Sequence, residues 1–177
     1  EAFERRRLPK LAIGPTASVA VVACLVMTRS QLRHWQSSET LFRHTLALTT
    51  GNFLAHNNLG NALLDRKQVE DAIVEFQKAL AIQPEYADAH INLGNALSQQ
   101  GRLDDASLQF QAALKLQPGS AEAHYNLANL LLKMGRPDDA ILHFRKAIES
   151  NADHVLACNN LGNTLLQKGQ VDDAIRS

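Results

Sequence analysis

Residues 53–177 carry apolar side chains at helical spacing. Leu59 and Leu63 stand four apart with the small Gly60 beside them, and Ala72, Phe76 and Ala79 follow at i, i+4 and i+7. Such spacing places side chains on one face of a helix. Glycines at 101, 135 and 169 fall between the two stretches of a copy and predict a turn there. The pattern then recurs with a step of 34 residues. Leu59, Leu93, Leu127 and Leu161 form one column, and Gly60, Gly94, Ala128 and Gly162 the next. Ala72, Ala106, Ala140 and Ala174 form a third, joined by Phe76, Phe110 and Phe144 and by Ala79, Ala113 and Ala147. A fixed period decides the architecture. It predicts an all-α superhelical solenoid of antiparallel helix pairs, with units 53–86, 87–120, 121–154 and a truncated 155–177. A glycine inside a helix costs about 1 kcal/mol against alanine. Its recurrence at 60, 94 and 162 predicts a place where the partner helix comes too close for a side chain.

Upstream the pattern changes. Arg5-Arg6-Arg7 and Lys10 precede an uncharged run from Leu11 to Thr28, at the lower edge of the roughly 17–25 residues of a membrane-spanning helix. Residues 1–34 are therefore expected to be a basic segment and a transmembrane helix, touching the lipid bilayer through residues 11–28. The excess of basic residues before the run puts the N-terminus in the cytoplasm and the array on the non-cytoplasmic side. Two other readings stay open: a soluble capping helix against the first repeat, and a signal peptide. Residues 35–52 read as a half repeat. Phe42 and Leu46 lie one period before Phe76 and Leu80, and Ser37 or Ser38 can cap the helix.

Composition narrows the chemistry. The 177 residues hold 18 basic and 18 acidic side chains, but the basic ones gather early. Residues 53–177 carry eleven basic against fifteen acidic. A nucleic-acid binder needs a basic face on its main domain, so no nucleic-acid partner is expected. The two cysteines, Cys24 and Cys158, make no CxxC, and no zinc or redox motif follows. His56, His90 and His124 recur one per unit. Equivalent side chains of stacked units lie roughly 8–10 Å apart, too far to share an ion, so they are read as packing positions. The acids at Glu70-Asp71, Asp104-Asp105, Asp138-Asp139 and Asp172-Asp173 open the second helices, where they favour the helix dipole. No GxSxG, phosphate loop or HExxH is present. Neither an enzymatic activity of this chain nor a cofactor or metal is expected.

The columns of leucine-glycine, Ala…Phe…Ala and the closing Pro84 and Pro118 resemble the tetratricopeptide repeat family over residues 53–177. The large aromatic usual early in helix A is absent; the histidines and Cys158 hold that column. In the family, helix A lines a concave groove. This points to two asparagine series, Asn58, Asn92, Asn126 and Asn160, and Asn61, Asn95, Asn129 and Asn163. An amide both donates and accepts, which suits the backbone of an extended peptide. The array resembles the asparagine-lined superhelix of O-linked N-acetylglucosamine transferase, whose ladder holds peptide backbones. The alternative is that the second series bonds between units. The family's carboxylate clamp would need basic groove residues, and Asn57, Ile91, Glu122, Tyr125 and Leu156 supply none.

These observations predict a membrane-tethered interaction module that binds a protein or extended peptide. A second reading rests on Trp35, Ser38, Thr40, Leu41 and Phe42 followed by Ala55–Gly60. This junction is similar to that of transmembrane and tetratricopeptide repeat proteins, which resemble multi-span glycosyltransferases. The chain would then be the non-catalytic repeat part of such an enzyme. A structural subunit or assembly factor of a membrane complex is a third reading. Self-association through the truncated end at 155–177 is a further expectation.

Overall fold

The computed structural model describes Thr28 and residues 37–169. The basic segment, nearly all of the apolar run 11–28, Trp35, Cys24 and the acids and alanine at 172–174 lie outside the described residues. So does the end of the truncated unit. Among the described residues there are eight helices and no strand: α1 (Ser38–Leu48), α2 (Phe53–Asp65), α3 (Val69–Ile82), α4 (Ala87–Gln99), α5 (Leu103–Leu116), α6 (Ala121–Lys133), α7 (Pro137–Ser150) and α8 (Val155–Gln167). None of them is long and apolar enough to cross a membrane.

Helix ends follow local chemistry. The Ser37 hydroxyl accepts from the Thr40 backbone N–H while the Thr40 hydroxyl accepts from the Ser37 N–H, a reciprocal cap on α1. Asn52 and Ser120 cap α2 and α6. The helices α3, α5 and α7 have no side-chain cap. Their first-turn acids take that place against the exposed N–H groups, and two of them also pair with the residue at the cap, Asp105 with Arg102 and Asp139 with Arg136.

Three-residue turns join α2 to α3, α4 to α5 and α6 to α7, and so short a link folds each pair back on itself. Gly101 and Gly135 take φ of +79° and +73° there, while Lys67 holds the same place in the first turn at +62°. The paired faces make one continuous core. Phe76, Phe110 and Phe144 are fully buried with the alanines at 72, 79, 106, 113, 140 and 147, and Phe42 and Leu46 of α1 pack against the same cluster.

The glycine column has a more specific cause than helix approach. A Cβ built on Gly60 falls 2.5 Å from Cε1 of Phe76, and one on Gly94 falls 2.6 Å from Cε1 of Phe110. The obstacle is thus the phenylalanine ring of the second helix, not its backbone. In the third unit Ala128 takes the position and is itself fully buried.

Successive first helices touch, α2 with α4 and α4 with α6. That side is the inner face of the stack, and it positions the site.

Candidate functional site

The inner face is built from one stripe per first helix, at i, i+4, i+7 and i+11. It reads Leu54, Asn58, Asn61, Asp65 on α2; Asp88, Asn92, Asn95, Gln99 on α4; Glu122, Asn126, Asn129, Lys133 on α6. Two recesses open along it. The first, of about 310 Å³, is lined by Asn57, Asn58, Asn61 and Asn92 with Tyr86, Asp88, Ile91 and Glu122. The second, of about 470 Å³, holds Asn95, Asn126 and Asn129 with Asp65, Ser98 and Lys133 among its walls. Of the eight asparagines, on α2, α4, α6 and α8, six are half-buried, and Asn58 and Asn163 are exposed. The structure brings six of the eight together in the two recesses, and Asn160 and Asn163 line neither.

Hydrogen bonding divides the amides. Asn92 Nδ2 donates to Asn57 Oδ1 of the preceding unit at 2.9 Å. Asn160 Nδ2 donates to Asn129 Oδ1 at 2.8 Å and to the Tyr125 hydroxyl at 3.4 Å. The bonds between units therefore run from the first asparagine series, and the second takes part only at Asn129. Asn57 is almost fully buried, with 4% exposure, and sequence reasoning placed it only in the groove. Its pairing with Asn92 bridges 35 positions, which the doubled Asn57-Asn58 hinted at. The side chains of Asn58, Asn61, Asn95 and Asn126 are not engaged with other described residues and keep donor and acceptor for a ligand.

The histidine column ties the two helices of each unit. His56 Nδ1 meets Glu75 Oε2 at 2.7 Å, His90 Nδ1 meets Gln109 Oε1 at 2.8 Å, and His124 Nδ1 meets His143 Nδ1 at 2.9 Å. Each pair is 19 residues apart. Nε2 of His90 and His124 donates to the carbonyls of Pro84 and Pro118. At His124 that tautomer leaves Nδ1 as an acceptor, so His143 donates to it. Burial pushes the Glu75 carboxyl up, but Lys78 and His56 outweigh it and hold it below the ordinary range. Burial lowers His124, and burial together with His124 lowers His143 to about 4. Among the described residues no three metal-ligating side chains gather.

The chain belongs to the tetratricopeptide repeat family. A family model for "TPR repeat" matches residues 60–101 and 94–135, and two for "Tetratricopeptide repeat" match 121–154 and 143–176. No curated protein sequence matches. Among solved structures, a MamA crystal structure is 26% identical with a TM-score of 0.70, covering 76% of this chain and 79% of that one. YrrB, described as a TPR protein with an unusual peptide-binding site, is 24% identical with a TM-score of 0.67, over 76% of this chain and 70% of that one. The first TPR of Spaghetti (RPAP3), bound to an HSP90 peptide, is 15% identical with a TM-score of 0.65, over 68% of this chain and 96% of that one.

Proposed function

We propose that this chain is a non-catalytic interaction module that takes an extended peptide, or an extended segment of a partner protein, along the inner face of its first helices. One observation carries the reading: four amides on that face, Asn58, Asn61, Asn95 and Asn126, open onto two adjoining recesses with no hydrogen-bond partner among the described residues. An extended backbone presents alternating N–H and C=O groups, and each free amide meets both. YrrB and RPAP3 are peptide-binding proteins of the same fold by their descriptions, which is in keeping with this use.

The division of the amides gives the test. Replacing Asn58, Asn61, Asn95 and Asn126 by alanine is expected to weaken capture of extended peptides from a random library while Tm stays close to wild type. Replacing Asn92 and Asn160 is expected to lower stability by about 1 kcal/mol for each lost hydrogen bond. Undiminished capture by the fourfold variant sinks the reading.

The apolar run 11–28 supports a membrane tether that holds the array close to a bilayer, on the non-cytoplasmic side by the charge bias before it. Carbonate-resistant sedimentation of the whole chain with membranes, lost on deletion of residues 11–28, is the outcome that the tether requires.

A further inference from the structure

We propose that the first recess selects a peptide carrying a basic side chain, arginine above lysine, and so fixes the register of an extended peptide along the groove. This rests on the groove reading above. Asp88 and Glu122 hold the same place on α4 and α6, one repeat apart, and both open to the 310 Å³ recess. No basic side chain lines it. Both residues are exposed, and neither is in an ion pair among the described residues. Burial, with the nearby Asp88 carboxylate adding to it, holds the Tyr86 phenol above its usual range.

The helix dipole accounts for an acid in a first turn, and it accounts equally for Asp71 and Asp104 on the outer helices. It does not account for two carboxylates converging on one recess beside the free amides of Asn58 and Asn61. A guanidinium brings five N–H donors in a planar fork and no acceptor. Two carboxylates and two amide oxygens answer that set, whereas an acidic side chain or a C-terminal carboxylate meets like charge. The second recess differs. Its Asp65 is offset by Lys133, which also donates to the Ser98 hydroxyl at 3.1 Å. Charge preference is therefore confined to the end of the groove formed by the first turns of α4 and α6.

Three fluorescein-labelled peptides test this. They share an uncharged frame of serine, alanine and glutamine and carry arginine, leucine or glutamate at the centre; anisotropy is read against the whole chain. The arginine peptide is expected to bind on the order of tenfold tighter than the leucine peptide, with the glutamate peptide weakest and the gap shrinking in high salt. Asp88→Asn with Glu122→Gln is expected to level the three, because both replacements are isosteric and remove only the charge. Equal binding of all three peptides to the wild type overturns the charge selection and leaves the groove reading standing. A persisting arginine preference in the double variant also overturns it. Binding of none of them overturns both.

Discussion

Gly94 and Phe110 allow the packing argument to be tested with a change of sign. A Cβ on Gly94 falls 2.6, 2.9 and 3.0 Å from three atoms of the Phe110 ring. Ordinary contact begins near 3.4 Å, so in Gly94→Ala the ring or the helix must retreat by most of an ångström. Phe110 is 1% exposed, and a ring so enclosed moves only by displacing its neighbours. Over-packing of that kind costs about 1–3 kcal/mol. The same substitution gains about 1 kcal/mol of helix propensity. In the wild-type background the two leave a loss of up to about 2 kcal/mol. In a Phe110→Leu background Cε1 and Cζ are gone and the shorter side chain can turn aside, so alanine stabilises by up to about 1 kcal/mol. The four proteins form a double-mutant cycle with a coupling of about 1–3 kcal/mol. Urea unfolding followed by far-ultraviolet circular dichroism measures it, with the midpoint shift read at constant m. The third unit supplies the converse, since Ala128 and Phe144 hold the positions of Gly94 and Phe110 and both are fully buried; Ala128→Gly is expected to cost about 1 kcal/mol. An equal effect of Gly94→Ala in both backgrounds refutes the reasoning, because the ring would then not be what excludes the side chain.

Two further outcomes follow from other positions. Lys67 sits at φ +62° where the later units have glycine, and a left-handed lysine is strained by about 1–2 kcal/mol, part of which glycine returns as chain entropy in the unfolded state. Lys67→Gly is expected to stabilise by about 0.5–1 kcal/mol in urea unfolding; destabilisation would show that the turn does not carry this strain. His143 is lowered from 6.5 to about 4 in the folded chain, so as pH falls through 6.5 the unfolded state takes up the proton first and stability drops, down to about 4. His143→Gln copies the Gln109 partner of the second unit and is expected to reduce the fall in Tm between pH 7 and pH 5, without abolishing it because His124 is lowered as well. The same fall in both proteins would show that the His124–His143 pair is not what senses pH.

The period made the helix pairs legible because a solenoid repeats its reason for each residue. Leucine, alanine and phenylalanine recur where one helix meets the next, so counting in steps of one repeat finds the core. Side-chain partners did not repeat, and there the sequence was less informative. The histidine column is regular, yet its partners are a glutamate, a glutamine and a second histidine at 75, 109 and 143. No periodic argument reaches them, because the second helix varies at that place. The asparagine series misled in a subtler way. Eight amides in two columns invite one role per column. Their hydrogen bonds instead follow what the preceding unit offers: Asn57 to Asn92, Asn129 and Tyr125 to Asn160, and nothing to Asn126. The position before the first series is Asn57, Ile91, Tyr125 and Asn159 in turn. Asn57 supplies the acceptor for Asn92, whereas Asn160 bonds to Asn129 at 2.8 Å and to Tyr125 only at 3.4 Å. Ile91 presents none, and Asn126 makes no such bond among the described residues. The hydrogen bonding of each amide thus depends on its neighbours in the preceding unit and not on its column alone.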